Sequence, residues 1–190
     1  MGITGGMGCG KSTVVAEFSK LGIPAFVADR AGTKCYNDSG FLTEVRALLG
    51  DDVFLPNGKV DKRLIADKVF ADKHLLSGLN NLVHPRVMKA FELFCEKHSQ
   101  APYVLFESAI LYDYGFDRLM DCVVCVYLQL EERLDRLVSR DHASHQELMA
   151  RIANQMPAEE MMKRADYVIL NYEGNPRQRQ VAYIDQILRQ

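Results

Sequence analysis

Residues 5–12 read Gly-Gly-Met-Gly-Cys-Gly-Lys-Ser, that is, Gly5-x4-Gly10-Lys11-Ser12. This spacing holds polyphosphate. The glycines let the backbone curl with its N–H groups inward, and a following helix adds its positive N-terminal end. Lys11 has the length to reach β- and γ-phosphates, and the Ser12 hydroxyl suits Mg²⁺. Apolar Ile3 before the loop, and Val14, Val15, Phe18 and Leu21 after it, supply the strand–loop–helix context that the motif requires. Gly6, Met7, Gly8, Cys9, Gly10, Lys11, Ser12 and Thr13 are therefore the expected nucleotide contacts. A dinucleotide fingerprint is excluded, because Gly8-x-Gly10 would need glycine at position 13, where Thr13 stands.

Two acids stand where strands are expected to end. Asp29 follows a short apolar stretch, where a carboxylate can take the proton of an attacking hydroxyl; a helix cap or turn is the equal alternative. Tyr103-Val-Leu-Phe-Glu107 has the shape of a Walker B segment, an apolar strand and then an acid that holds Mg²⁺ directly or through water. A salt bridge is the alternative for Glu107. Arg133, Arg136 and Arg140, at i, i+3 and i+7, share one helix face. Guanidinium pairs bidentately with phosphate, so this face suits a mobile lid; pairing of Glu132 with Arg136 on a solvated surface is the alternative. His84-Pro85 reads as a break between helices. His142 and His145, without acidic or cysteine neighbours at ligand spacing, read as solvent-facing.

Five scattered cysteines fit a reducing cytoplasm better than a disulfide framework. Cys122 and Cys125 fall in an expected strand, where residues three apart face opposite sides and make poor joint ligands. Cys9, beside Lys11 and a helix N-terminus, lies where a thiol pKa tends to fall, which would make it sensitive to oxidation. The alternative is a small residue filling a slot in the loop.

Positioning these groups requires alternating strands and helices. Strands are expected over 2–4, 24–28 ending at Asp29, 103–106 ending at Glu107, 122–128 and 167–170. Helices are expected over 11–20, 31–50 with punctuation at Asn37-Asp38-Ser39-Gly40, 61–99 interrupted at His84-Pro85 with the second helix running through about 98, 131–163 and 176–189. Pro56-Asn57-Gly58 marks a turn. The alternation predicts an α/β fold with a parallel sheet, whose strand ends bring the loop, Asp29 and Glu107 to one edge. The first strand is short, and upstream residues are expected to be missing from it. The chain has 190 residues and a net charge of −2, which gives no field favouring nucleic acid or an anionic membrane. Its longest strongly apolar run, 122–128, is too short to span a bilayer.

Together these residues resemble the dephospho-CoA kinases. Residues 2–13 are similar to that family's opening GxTGGxGxGKS. The resemblance continues through Ala28-Asp29, His84-Pro85, the stretch Glu107 to Asp113, Arg136-x3-Arg140-Asp141, Arg151-x3-Gln155 and Ala165 to Asn171. It implies a P-loop NTPase-type three-layer fold with a core over 1–30, 100–130 and 165–190, a helical CoA-substrate domain over 31–99, and a lid over 131–164. It implies transfer of the ATP γ-phosphoryl group, with Mg²⁺, to the ribose 3′-hydroxyl of dephospho-CoA. Asp29, Lys11 and Arg140 are then catalytic. Arg136 and Asn171 join the ATP contacts. Asp29, His84, Pro85 and Glu107 border the acceptor, and Ser12 holds the metal with Glu107 behind a water. A cytoplasmic monomer or weak homo-oligomer is expected, acting on ATP and dephospho-CoA. Three positions depart from the family pattern: Val27 replaces a frequent acid, Cys9 a usual serine and Glu107 a usual aspartate.

Two other readings compete. A kinase of the nucleoside-monophosphate type shares the core and lid, and segment 31–99 decides between acceptors. A GTPase switch would use Asp29-Arg-Ala-Gly32 as DxxG, but that follows the loop too closely, and Asn-Lys-x-Asp is absent. An ATP-binding regulator with a dead site is opposed by intact Lys11, Ser12 and Asp29.

Overall fold

The computed structural model describes residues 1–141 and 143–190, so the expectation for His142 lies outside the described residues. The chain divides into two compact units, residues 1–27 with 97–190 and residues 28–96.

The first unit is built on five parallel strands: β1 (Gly2–Thr4), β2 (Ala25–Val27), β3 (Leu105–Glu107), β4 (Val123–Tyr127) and β5 (Tyr167–Leu170). Their order is β2-β3-β1-β4-β5. The register sets Ile3 opposite both Glu107 and Val124, and Thr4 opposite Cys125. From β1 the chain passes β3's place to the edge strand β2, returns to β3 beside β1, and then crosses β1 to β4. The connections leaving the adjacent strands β1 and β3 thus run in opposite directions, and ligands of open α/β sheets bind beyond the strand ends at such switch points. The ladder includes Met1, whose carbonyl accepts from Phe106 N–H at 2.9 Å.

Helices α1 (Lys11–Lys20) and α9 (Arg177–Leu188) cover one face of the sheet. Val14, Val15, Phe18, Val181 and Ile184 meet Ile3, Leu105, Val124, Val126 and Ile169 there. Each large aliphatic or aromatic side chain removed from water contributes about 1.5–3 kcal/mol. The other face carries Phe106, which meets Phe116 edge-on at 5.7 Å. The segment expected to form a lid, residues 131–164, belongs to this unit. Between β4 and β5 lie α6 (Leu130–Asp141), α7 (His145–Ala153) and α8 (Ala158–Arg164). α7 opens with a capping box, in which Ser144 accepts from Glu147 N–H and the Glu147 carboxylate accepts from Ser144 N–H. His145 is exposed at the start of α7.

The second unit is helical: α2 (Ala28–Cys35), α3 (Ser39–Leu49), α4 (Lys62–Ala71) and α5 (Lys73–Lys97, whose last residue belongs to the first unit). Its core joins Phe41, Val45, Leu49, Val53, Ile65, Val69 and Leu79. Asp38 and Asp61 cap α3 and α4 by accepting backbone N–H bonds.

Two sequence expectations need correction here. β2 stops at Val27 and α2 begins at Ala28, so Asp29 lies in the first turn of a helix and does not end a strand. A carboxylate there is favoured by the positive end of the helix. Pro85 lies inside the continuous α5 and does not break it. The break falls at Asp72, whose carboxylate accepts from His74 and Leu75 N–H. Proline lacks the donor for the carbonyl four residues back. One residue further on, Arg86 Nη1 donates to the Leu82 carbonyl at 2.8 Å, reinforcing the turn that carries the proline.

Candidate active site

The phosphate loop leaves β1 at Gly5 and enters α1 at Lys11. Gly8 and Gly10 take φ of 83° and 90°, left-handed values that glycine adopts without strain. The loop is held mainly through its own backbone. Lys11 Nζ donates to the Gly5 carbonyl at 2.9 Å and to that of Gly6 at 3.4 Å. Asn171 Nδ2 donates to the Cys9 carbonyl at 2.8 Å. Met7 is gripped from three sides: Arg133 Nε donates to its carbonyl at 2.8 Å, its N–H donates to Gln155 Oε1 at 2.9 Å, and its side chain packs on Leu134, Leu137 and Leu148. Residues of the segment between β4 and β5 therefore fix the crest of the loop.

Ser12 and Thr13 are exposed in the first turn of α1. Asn171, directly after β5, is buried, and both ends of its amide are engaged: Arg177 Nη1 donates to its Oδ1 at 3.0 Å while its own Nδ2 holds Cys9. Arg136 Nη2 donates to the Asn171 carbonyl at 3.4 Å. Glu107 ends β3, buried, at the same edge of the sheet as the loop.

The arginines of α6 diverge. Arg133 is buried against the loop. Arg136 reaches the β5 end. Arg140 is largely exposed and forms a two-pronged pair with Asp141, at 2.6 and 2.9 Å. That pairing pushes its pKa still higher, so it stays a cation throughout.

Cys9 departs from the sequence expectation. It is 1% exposed, and burial pushes its thiol pKa up, against the opposing pull of Lys11 and Arg133. An uncharged buried thiol is a poor nucleophile, so the structure contradicts the lowered pKa and the oxidation sensitivity drawn from it. Cys125 is likewise buried, with its thiol raised to about 12.

Asp29, His84 and Pro85 belong to the helical unit. Asp29 is exposed in α2. His84 is half-buried in α5, and desolvation lowers its pKa. Gln155 and Arg177 have no assigned role in the sequence reading, and Arg133 is read there only as one of three arginines on a face suited to a lid. For Arg133 the signal was its position on the face it shares with Arg136; for Gln155, its place in the Arg151-x3-Gln155 pattern.

Hard oxygen donors near the loop, the Ser12 hydroxyl and the Glu107 carboxylate, fit Mg²⁺. Among the described residues no cluster of three or more His, Cys, Asp or Glu offers an all-protein cage.

Comparison with known proteins agrees with this geometry. A family model described as dephospho-CoA kinase matches residues 1–176. A curated dephospho-CoA kinase from Bacteroides fragilis is 38% identical over 177 residues, covering 93% of this chain and 86% of that protein. One from Leptospira interrogans is 37% identical over 176 residues, covering 92% and 84%. A crystal structure of a Thermus thermophilus protein aligns with a TM-score of 0.84 at 32% identity, over 98% of this chain and 94% of that one. A shikimate kinase from Acinetobacter baumannii shares the fold, with a TM-score of 0.54 at 18% identity, over 98% and 90%.

Proposed function

The chain belongs to the dephospho-CoA kinase family, and from that premise we propose how its residues divide the reaction. The reaction is the ATP-dependent phosphorylation of dephospho-CoA, which completes coenzyme A synthesis. The observation that carries the assignment of ATP is the phosphate loop, whose crest is held by Lys11, Arg133, Gln155 and Asn171.

Loop residues 6–13 bind the ATP phosphates through backbone N–H groups. Ser12 and Glu107 would hold Mg²⁺, which would supply charge that offsets the phosphates. Lys11 moves from its loop carbonyls to the β- and γ-phosphates. Asp29 takes the proton of the ribose 3′-hydroxyl as that oxygen attacks the γ-phosphorus in line with the leaving ADP. This role rests on the family match at Ala28-Asp29. Arg140 leaves Asp141 for the transferring phosphoryl group, and Arg136 and Asn171 border the nucleotide. Most of the acceleration comes from positioning and fixed charge. The helical unit, with His84 and Pro85, supplies the acceptor contacts.

No helix among the described residues is long and apolar enough to cross a membrane. The five cysteines are free thiols, which supports a reducing cytoplasm as the setting. A monomer or weak homo-oligomer acting on two small molecules, without nucleic acid or membrane, completes the reading.

Substituting Asp29→Asn tests it. Turnover is expected to fall by about 10²–10⁴-fold with ATP affinity nearly intact. Unchanged turnover would remove Asp29 from the chemistry.

A further inference from the structure

We infer that Arg133 is a second, permanently buried cation of the phosphate site, one that supplies charge to bound polyphosphate while fixing the loop through Met7. The inference rests on the ATP reading above and adds a residue to it.

Arg133 lies on α6 but is only 5% exposed. Its guanidinium fills the space beside Gly6 where a side chain would begin: Nη1 lies 2.8 Å from the position a Cβ would take, and Nη2 and Cζ closer still. Its Nε donates to Met7. No ion pair involves Arg133 among the described residues, although Glu131, Glu132 and Asp135 share its helix. Lys11, the neighbouring cation, spends its hydrogen bonds on the Gly5 and Gly6 carbonyls. Two cations therefore converge on the Gly5–Met7 backbone, and neither forms an ion pair among the described residues.

A buried guanidinium without an anion is costly, and a like charge beside it adds to the cost. A strut alone would not need the charge, since a neutral amide can donate to Met7 O equally well. A solvated helix-face arginine would be exposed, as Arg140 is. The arrangement makes sense when an anion occupies the loop. Polyphosphate turns both unfavourable terms into attraction, and low local dielectric strengthens that attraction. Because Arg133 acts through the loop rather than from a mobile lid tip, its contribution grows with the number of phosphates and is already present before any lid movement.

The test is binding of ADP·Mg²⁺ and of AMP to the full chain, by competition with a fluorescent nucleotide, for wild type, Arg133→Gln and Arg133→Lys, with Tm recorded for each. Arg133→Gln keeps a donor for Met7 and removes the charge. It is expected to weaken ADP·Mg²⁺ by about tenfold and AMP by much less. Arg133→Lys keeps the charge and is expected to retain most of the ADP affinity. Equal losses for ADP and AMP, or no loss in Arg133→Gln, would overturn the inference and leave a strut. If Arg133→Gln does not fold, Arg133→Lys decides: a tenfold loss of ADP affinity would overturn the charge role, and retention supports it. Failure of the wild-type chain to bind ADP·Mg²⁺ would instead overturn the kinase reading, and the inference with it.

Discussion

In the unit formed by residues 1–27 and 97–190, the functional groups are largely backbone atoms. The carbonyls of Gly5, Gly6, Met7 and Cys9 are each held by a side chain, and glycine conformations open the loop. In the helical unit of residues 28–96, the expected functional groups, Asp29, His84 and Pro85, project from regular helices around an apolar core of their own. A backbone site tolerates few substitutions within it and depends on distant side chains that brace it. A helix-face site can change one residue at a time. On the proposed reading the phosphate contacts belong to the part that is harder to alter, and Asp29 with the acceptor contacts belongs to the part that is easier.

The sharpest attack on this division is Lys11→Met. Turnover should drop by about 10²–10³-fold, the usual cost of removing one fixed transition-state charge. Dephospho-CoA affinity should stay near wild type, and a matching loss of acceptor binding would break the division. Gly10→Ala follows, because a Cβ there meets Asn171 Nδ2 and φ is 90°. ADP affinity and Tm should both fall, at a backbone strain cost of about 1–3 kcal/mol.

Arg140→Ala should lower kcat more than ATP affinity, since its present partner is Asp141. Equal losses would make it a plain binding residue. On the helical side, Pro85→Ala restores the missing backbone donor inside α5. Up to about 3 kcal/mol of helix cost is thereby relieved. A higher Tm with a raised KM for dephospho-CoA alone would sharpen the comparison, and a raised KM for ATP would blur it.

The smallest effect concerns pH. Burial lowers the pKa of His84 in the folded chain, so between its ordinary value of about 6.5 and the lowered one the unfolded state binds more protons. Stability should therefore be unaffected above that window and decline as pH falls through it. His84→Asn should flatten that decline in a Tm-against-pH series.

Legibility in the sequence followed the same division. Gly5 to Ser12 named the loop because glycine spacing and a lysine leave few alternatives. The alternation of apolar runs located all five strands, and β3 was placed with Glu107 at its end. The helical side misled in two places. Proline is a helix breaker by local rules, yet Pro85 continues α5 within a packed unit and the true stop is the capping residue Asp72. Asp29 was read as a strand end because nothing local separates Val27 from Ala28, where strand gives way to helix with no intervening turn residue.

Charge was hardest to read. Arg133 and Arg140 share a helix face in the sequence, but one is buried on the loop and the other is paired at the far end of α6, a difference set by what α6 packs against. Cys9 erred for a related reason. Proximity to Lys11 argued for a lowered thiol pKa, whereas burial, invisible in the sequence, dominates and raises it.

The most direct measurement is ADP release by the purified chain with ATP·Mg²⁺, comparing dephospho-CoA with AMP, CMP and adenosine as acceptors. The account predicts release with dephospho-CoA alone, and a product whose mass is that of coenzyme A. Turnover with a monophosphate in place of dephospho-CoA, or no release with any acceptor, would contradict it.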